Sequence, residues 1–248
     1  MDYEQEYEQY AKRYMSRGRL LTGNILKWTA RVLIFGIIAM VLWRVMFSAR
    51  VPRDMTTLCV NDAVMEAYEA GQLTVYTQEI APVNMDGATA GYFWACQVLL
   101  VPNADQVQVL IRYNNATLKH IAEDYNLGED GIPSRDEEVI DVTLAIWVDP
   151  DPTNETTTDR ELVRIQPTGE ATTDQTTMYN YRRYVFDGVD LNTENMINMS
   201  VDIYYKGSVN YDRVAYSSLV VYEPKQETWE YDLTRRDKQA LASYSKAH

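Results

Sequence analysis

The chain has 248 residues and a net charge of −13 at pH 7, but the charge is unevenly distributed. Residues 1–53 hold 9 basic and 4 acidic residues, a net of +5, whereas the remainder holds 14 basic and 32 acidic residues, a net of −18. A surface this acidic repels nucleic acid and anionic lipid, which excludes both as partners of the larger part of the chain. The presence of only two cysteines, Cys59 and Cys96, excludes a scaffold held together by many disulfide bonds.

Residues 1–27 predict a cytoplasmic tail that is partly helical. Its tyrosines recur at intervals of four, three and four residues and therefore share one face of a helix; they are Tyr3, Tyr7, Tyr10 and Tyr14. Such a stripe suits docking or self-association. A frayed tail is the alternative, because isolated helices of this length are only marginally stable in water.

The apolar segment at residues 28–47 divides the chain. Its central run, Val32–Trp43, carries no charge, and Arg31 and Arg44 flank it. About twenty helical residues span about 30 Å, which is the thickness of the hydrocarbon layer of a bilayer. We therefore predict a single transmembrane helix over residues 28–47. A cleaved signal peptide is the alternative, which the long preceding segment disfavours.

Basic residues near the two ends of this segment predict its orientation. Six precede the apolar run and three follow it, namely Lys12, Arg13, Arg17, Arg19, Lys27 and Arg31 before it and Arg44, Arg50 and Arg53 after it. Positively charged flanks stay in the cytoplasm, so the bias favours a cytoplasmic N-terminus. We expect a protein of the cell membrane with residues 54–248 in the extracytoplasmic space.

Residues 54–248 predict mainly β structure with short flanking helices. A first helix is predicted from Asp54 to Ala70, with Asp54 as N-cap and Gly71 after its end. Alternating apolar and polar residues then predict strands at 73–80, 92–101, 106–113, 139–148, 162–166, 178–187, 197–206, 213–223 and 228–232. Further helices are predicted at 116–127 and after a capping box of Thr234 and Asp237. About eight or nine strands separated by turn-rich loops are typical of an antiparallel β-sandwich in one domain.

Chemical motifs are scarce, and we expect no catalytic residue and no cofactor. His120 is the only histidine besides His248, so a triad or a zinc site containing histidine would depend on it. Asp149, Asp151 and Asp159 are weak candidates for calcium ligands, and a solvated acidic loop is the favoured explanation because the whole of residues 54–248 is acidic.

Cys59 and Cys96 could form one disulfide bond if residues 54–248 lie in an oxidising compartment. Two unpaired thiols are the alternative, since spacing alone does not determine pairing.

The aromatic composition favours binding over catalysis. There are 19 tyrosines and 5 tryptophans but only 4 phenylalanines. Tyrosine and tryptophan anchor protein interfaces and stack on sugars, although they also fill β cores. We therefore expect an interaction or scaffold module that binds protein or polysaccharide. A hydrolase that uses carboxylates and a structural subunit of a membrane complex are the alternatives. Convergence of the long loops on a deep pocket with facing acids would favour the hydrolase; these loops are 81–91, 128–138, 149–160 and 167–177.

Overall fold

The computed structural model describes residues 3–6, 9, 17–48, 50–78, 92–128, 131–135, 137–150, 160–191, 196–206 and 215–247. The chain divides into two compact units, Met1–Arg50 and Val51–His248.

The first unit contains one long helix, α1, at Arg17–Ser48. Within it, Ile25–Met46 has a mean hydropathy of 2.0 and no part of it is buried inside the protein. It is the one described helix long and apolar enough to cross a membrane, and these properties fit a membrane anchor or a signal sequence. Tyr3 is 89% exposed, whereas Tyr7, Tyr10 and Tyr14 lie outside the described residues, so the tyrosine stripe stays a prediction.

The second unit is mainly β, as predicted. Its strands are β1 (Tyr76–Gln78), β2 (Phe93–Val101), β3 (Gln106–Asn114), β4 (Ile140–Val148), β5 (Glu161–Ile165), β6 (Thr172–Gln175), β7 (Tyr179–Asp187), β8 (Met196–Tyr205), β9 (Ser217–Tyr222) and β10 (Thr228–Glu230). Its helices are α2 (Asp62–Glu69), α3 (Asn115–Asp124) and α4 (Arg235–Ala247), and a 3-10 turn at Pro102–Ala104 joins β2 to β3.

These strands form two sheets with antiparallel pairing throughout. The six-stranded sheet has the order β10-β1-β2-β3-β7-β6, and the four-stranded sheet has the order β5-β4-β8-β9. In the centre of the larger sheet, Val109 lies opposite Val98 on β2 and Tyr184 on β7.

One hydrophobic cluster contains buried residues of both sheets. Val109 and Phe186 come from the six-stranded sheet, Leu144 and Val201 come from the four-stranded sheet, and all four side chains are 0% exposed. Complete burial of such a side chain contributes about 1.5–3 kcal/mol. Because successive side chains alternate in direction, the residues between them lie on the outer faces of the sheets.

A smaller cluster covers part of the outer face of the six-stranded sheet. Leu58, Val64 of α2 and Leu241 of α4 pack there with Leu99 and Val101 of β2. The segment that follows the first unit is therefore part of the packed domain.

The predicted helix from Asp54 is wrong in its first half. The helix begins after Asn61, whose side chain accepts a hydrogen bond from the Val64 amide. Upstream, the Leu58 amide donates to the Asp237 carboxylate and the Cys59 amide donates to the Gln108 side chain. Because these donors bond to distant side chains, the segment does not continue as helix. Its predicted end is confirmed, since Gly71 has a φ of +69°.

The loop predicted at residues 167–177 contains a strand that the sequence did not indicate. Strand β6 pairs with β7 at the edge of the six-stranded sheet, and all four of its residues are exposed. Since neither face of β6 is buried, no apolar alternation marks it in the sequence.

Candidate functional site

A polar cavity of about 570 Å³ lies beside strands β6 and β7. The loop before β4 contributes Arg135 and Glu138 to its lining, and β7 contributes Asn180 and Arg182. The cavity therefore combines residues that are about 45 positions apart in the chain, as in the bond between Arg135 and Asn180.

Arg182 is a buried cation with uncharged partners. It is 5% exposed, its Nε donates to the Tyr113 hydroxyl at 2.9 Å, and its Nη2 donates to the Glu137 carbonyl at 2.7 Å. Burial opposes its charge, but the combined electrostatic effects of Tyr113, Tyr184 and Glu138, with the hydrogen bond to Tyr113, hold the pKa of Arg182 above its ordinary value. The side chain is therefore permanently charged.

Arg135 is held in the same manner. Its Nε donates to Asn180 Oδ1 at 2.9 Å, and its Nη2 donates to the carbonyls of Thr176 and Tyr179 at 2.5 Å and 3.2 Å. Asn180 is only 3% exposed, and its Nδ2 atom has no hydrogen-bond partner among the described residues. Neither arginine forms an ion pair with a described carboxylate.

The acids that line the cavity are exposed to water. Glu170 and Asp174 are exposed, as is Glu138, which pairs with Lys206. The hydrogen bond from Lys206 lowers the pKa of Glu138. Loops 128–138 and 167–177 converge here, whereas loop 81–91 and most of loop 149–160 lie outside the described residues. Glu138 is a solvated acid with a lowered pKa and is therefore unsuited to act as a general acid near neutral pH.

A second cluster lies on the outer face of the six-stranded sheet, where Trp94 of β2 is directly opposite Arg112 of β3. The Arg112 guanidinium carbon is 5.4 Å from the Trp94 ring centre and 4.7 Å from the Tyr179 ring centre. The two rings are 6.3 Å apart and nearly perpendicular, at 82°. Cation–π contact with both rings fixes all three half-buried side chains. We call Trp94, Arg112 and Tyr179 the aromatic–arginine face.

The calcium ligands predicted in the loop after β4 stay a prediction, because only one of the three lies within the described residues. Asp149 follows the end of β4, while Asp151 and Asp159 lie outside the described residues. No group of three or more potential metal-ligating side chains occurs within the described ranges. His120 lies against the Tyr92 ring at 4.3 Å and beside Glu123 at 3.4 Å.

Cys59 and Cys96 are free thiols in this structure. Burial raises the pKa of Cys96 to about 11, so its thiol is protonated and unreactive at neutral pH. Their pairing in an oxidising compartment stays a prediction.

Tyrosines late in the chain contribute less exposed surface than their number indicates. Tyr181, Tyr184 and Tyr204 are buried, and Tyr179, Tyr205, Tyr216 and Tyr222 are half-buried.

Arg135 and Arg182 of the cavity were not among the site residues predicted from the sequence. One signal was present, because Arg182 shares the face of β7 that carries Tyr184 and Phe186, where an apolar residue is expected.

The chain matches no protein-family model, no curated protein and no solved structure. Its function is therefore inferred from the fold, the cavity and the aromatic–arginine face.

Proposed function

We propose that the protein is a single-pass membrane protein whose second unit is an extracytoplasmic β-sandwich that acts as an interaction or scaffold module. The length and hydropathy of Ile25–Met46 support an anchor, and the excess of basic residues before it supports a cytoplasmic N-terminus. The cluster to which both sheets contribute buried side chains supports face-to-face packing of the sheets.

The observation that carries this proposal is the aromatic–arginine face. Tryptophan, tyrosine and arginine are the residue types that dominate binding energy at protein interfaces. Trp94, Arg112 and Tyr179 restrain one another through ring contacts, so binding would order them at little further cost in side-chain entropy. A protein is the partner that this composition fits best, and a polysaccharide stacked on Trp94 is the alternative.

Replacing Trp94 or Tyr179 by alanine should weaken retention of the partner by about thirtyfold, which corresponds to about 2 kcal/mol. The measurement is quantitative co-purification with the full-length protein after cross-linking on intact cells, beside thermal unfolding of each variant. Trp229→Ala is the matched control, since Trp229 is 45% exposed on the edge strand β10 of the same sheet.

Three outcomes separate the alternatives. Undiminished retention by Trp94→Ala and Tyr179→Ala would contradict binding through this face. If deletion of residues 1–16 abolishes retention instead, the protein is a structural subunit that assembles through its tail. If retention by wild-type protein is abolished by glycosidase treatment of the cells, the partner is a polysaccharide.

The orientation has its own test, in which protease is added to intact cells. We expect residues 54–248 to be digested while an epitope placed at the N-terminus survives, because the basic flank keeps the tail inside. Permeabilised cells, in which both ends are digested, are the control. Protection of the second unit in intact cells would show that the proposed orientation is wrong.

A further inference from the structure

We propose that the cavity beside β6 and β7 is a binding site for a ligand that carries a single carboxylate. The proposal is independent of the aromatic–arginine face, because Arg182 and Asn180 lie on the other face of β7 from Tyr179, following the alternation of the strand. Failure of partner binding through that face would therefore leave the proposed carboxylate site untouched, and the reverse also holds.

Arg182 forms no ion pair with a carboxylate of the described residues. A buried cation is costly unless an opposite charge accompanies it. Arg182 is 5% exposed, yet its hydrogen bonds go to a tyrosine hydroxyl and a backbone carbonyl. Glu138 in the lining attracts Arg182 electrostatically, but its direct ion pair is with Lys206. A bound anion would supply a direct ion-pair partner for Arg182.

Hydrogen bonds within the protein fix the orientation of both guanidinium groups. Arg135 and Arg182 each use Nε and Nη2 for hydrogen bonds within the protein. In both, Nη1 has no hydrogen-bond partner among the described residues and is available as a donor to a ligand, and the bonds of the other two nitrogens fix the guanidinium plane. Planar guanidinium groups with fixed orientation recognise carboxylates through short, charge-assisted hydrogen bonds.

The remaining lining limits what else the ligand carries. Glu170 and Asp174 would repel a second negative charge on the ligand, but they would accept hydrogen bonds from its hydroxyl or N–H groups. The volume of about 570 Å³ lies within the range of small-molecule sites. An acidic monosaccharide and the C-terminus of a peptide both offer one carboxylate beside such donors.

The test is isothermal titration calorimetry, in which the full-length protein in detergent is titrated with two matched pairs of probes. The pairs are glucuronate with glucose, and acetyl-Ala-Ala with its C-terminal amide. We expect one of the two carboxylates to bind and its neutral counterpart to bind at least about tenfold more weakly, and the binding pair identifies the source. Equal binding within both pairs, or no binding of either carboxylate, would overturn the proposal.

Asn180→Asp is the decisive variant because aspartate has nearly the shape of asparagine and is expected to fit the same buried position. Aspartate keeps the oxygen that accepts from Arg135 Nε and places a carboxylate of the protein itself beside the guanidinium groups. Carboxylate affinity should fall by about tenfold or more while the melting temperature is unchanged or raised. Asn115→Asp, an exposed site at the start of α3 outside the cavity lining, is the control for the added charge. Wild-type affinity in Asn180→Asp would overturn the proposal.

Discussion

Replacing Asp237 by alanine is expected to lower the free energy of unfolding of the second unit by about 3 kcal/mol or more, since the carboxylate accepts several hydrogen bonds while fully buried. Asp237 is 0% exposed. It accepts from the amides of Leu58 and Thr234, both at 2.7 Å, and from the hydroxyls of Thr234 and Tyr231 at 2.6 Å and 3.1 Å. Alanine would leave buried donors without an acceptor.

Equilibrium urea denaturation of the full-length protein in detergent measures this loss. Asp237→Asn retains one acceptor oxygen and should therefore fall between wild type and Asp237→Ala. The control is Asp232→Ala at an exposed position five residues earlier, for which a change within about 0.5 kcal/mol is expected. Equal stability of Asp237→Ala and the control would mean that the buried carboxylate contributes nothing to the fold.

Replacing Gln108 by leucine is expected to cost about 2–3 kcal/mol, because leucine fills the space but pairs with no backbone group. Gln108 is 2% exposed on the outer face of β3. Its Oε1 accepts from the Cys59 amide at 2.9 Å, and its Nε2 donates to the Cys59 carbonyl at 2.8 Å and to Gln106 at 2.5 Å. The substitution leaves both backbone groups of Cys59 unpaired.

Amide hydrogen exchange distinguishes this local effect from a general loss of stability. The Cys59 amide should lose protection more than amides in β8, and Gln72→Leu at an exposed position should change neither. Because Gln108 and Asp237 hold consecutive residues of one segment, Cys59 and Leu58, the double variant should be less destabilised than the sum of the single variants. Additive losses would show that the two residues hold the segment independently.

Strands β2 and β3 show how much of the fold the sequence predicts. Val107, Val109 and Ile111 occupy every second position of β3, and they face the shared core as this period of two indicates. Polar residues hold most of the intervening positions, with Leu110 as the exception. The Asn and Asp residues between the two strands predict the connection, which is the 3-10 turn at Pro102–Ala104. Both signals are local, so neighbouring residues suffice to recognise them.

The candidate sites were less predictable than the strands. The aromatic composition indicated a binding surface, but not that Trp94 and Tyr179 would flank Arg112, which depends on the register of three strands. The cavity was missed because Arg135 lies in a loop and Arg182 in a strand, and neither belongs to a recognisable motif. Of the acids predicted as calcium ligands, only Asp149 falls within the described residues.

The mainly β character of the second unit, the apolar helix near the N-terminus and the uneven charge can all be read from the amino-acid sequence, because they follow from composition and from periodicity over a few residues. The start of α2, the strand β6 and the cavity lined by Arg135, Asn180 and Arg182 became visible in the folded protein alone. These features depend on partners that are far apart in the chain. Leu58 bonds to Asp237 across 179 residues and Cys59 bonds to Gln108 across 49 residues, and side chains so distant in the chain compete with local propensity only once the sheets have formed.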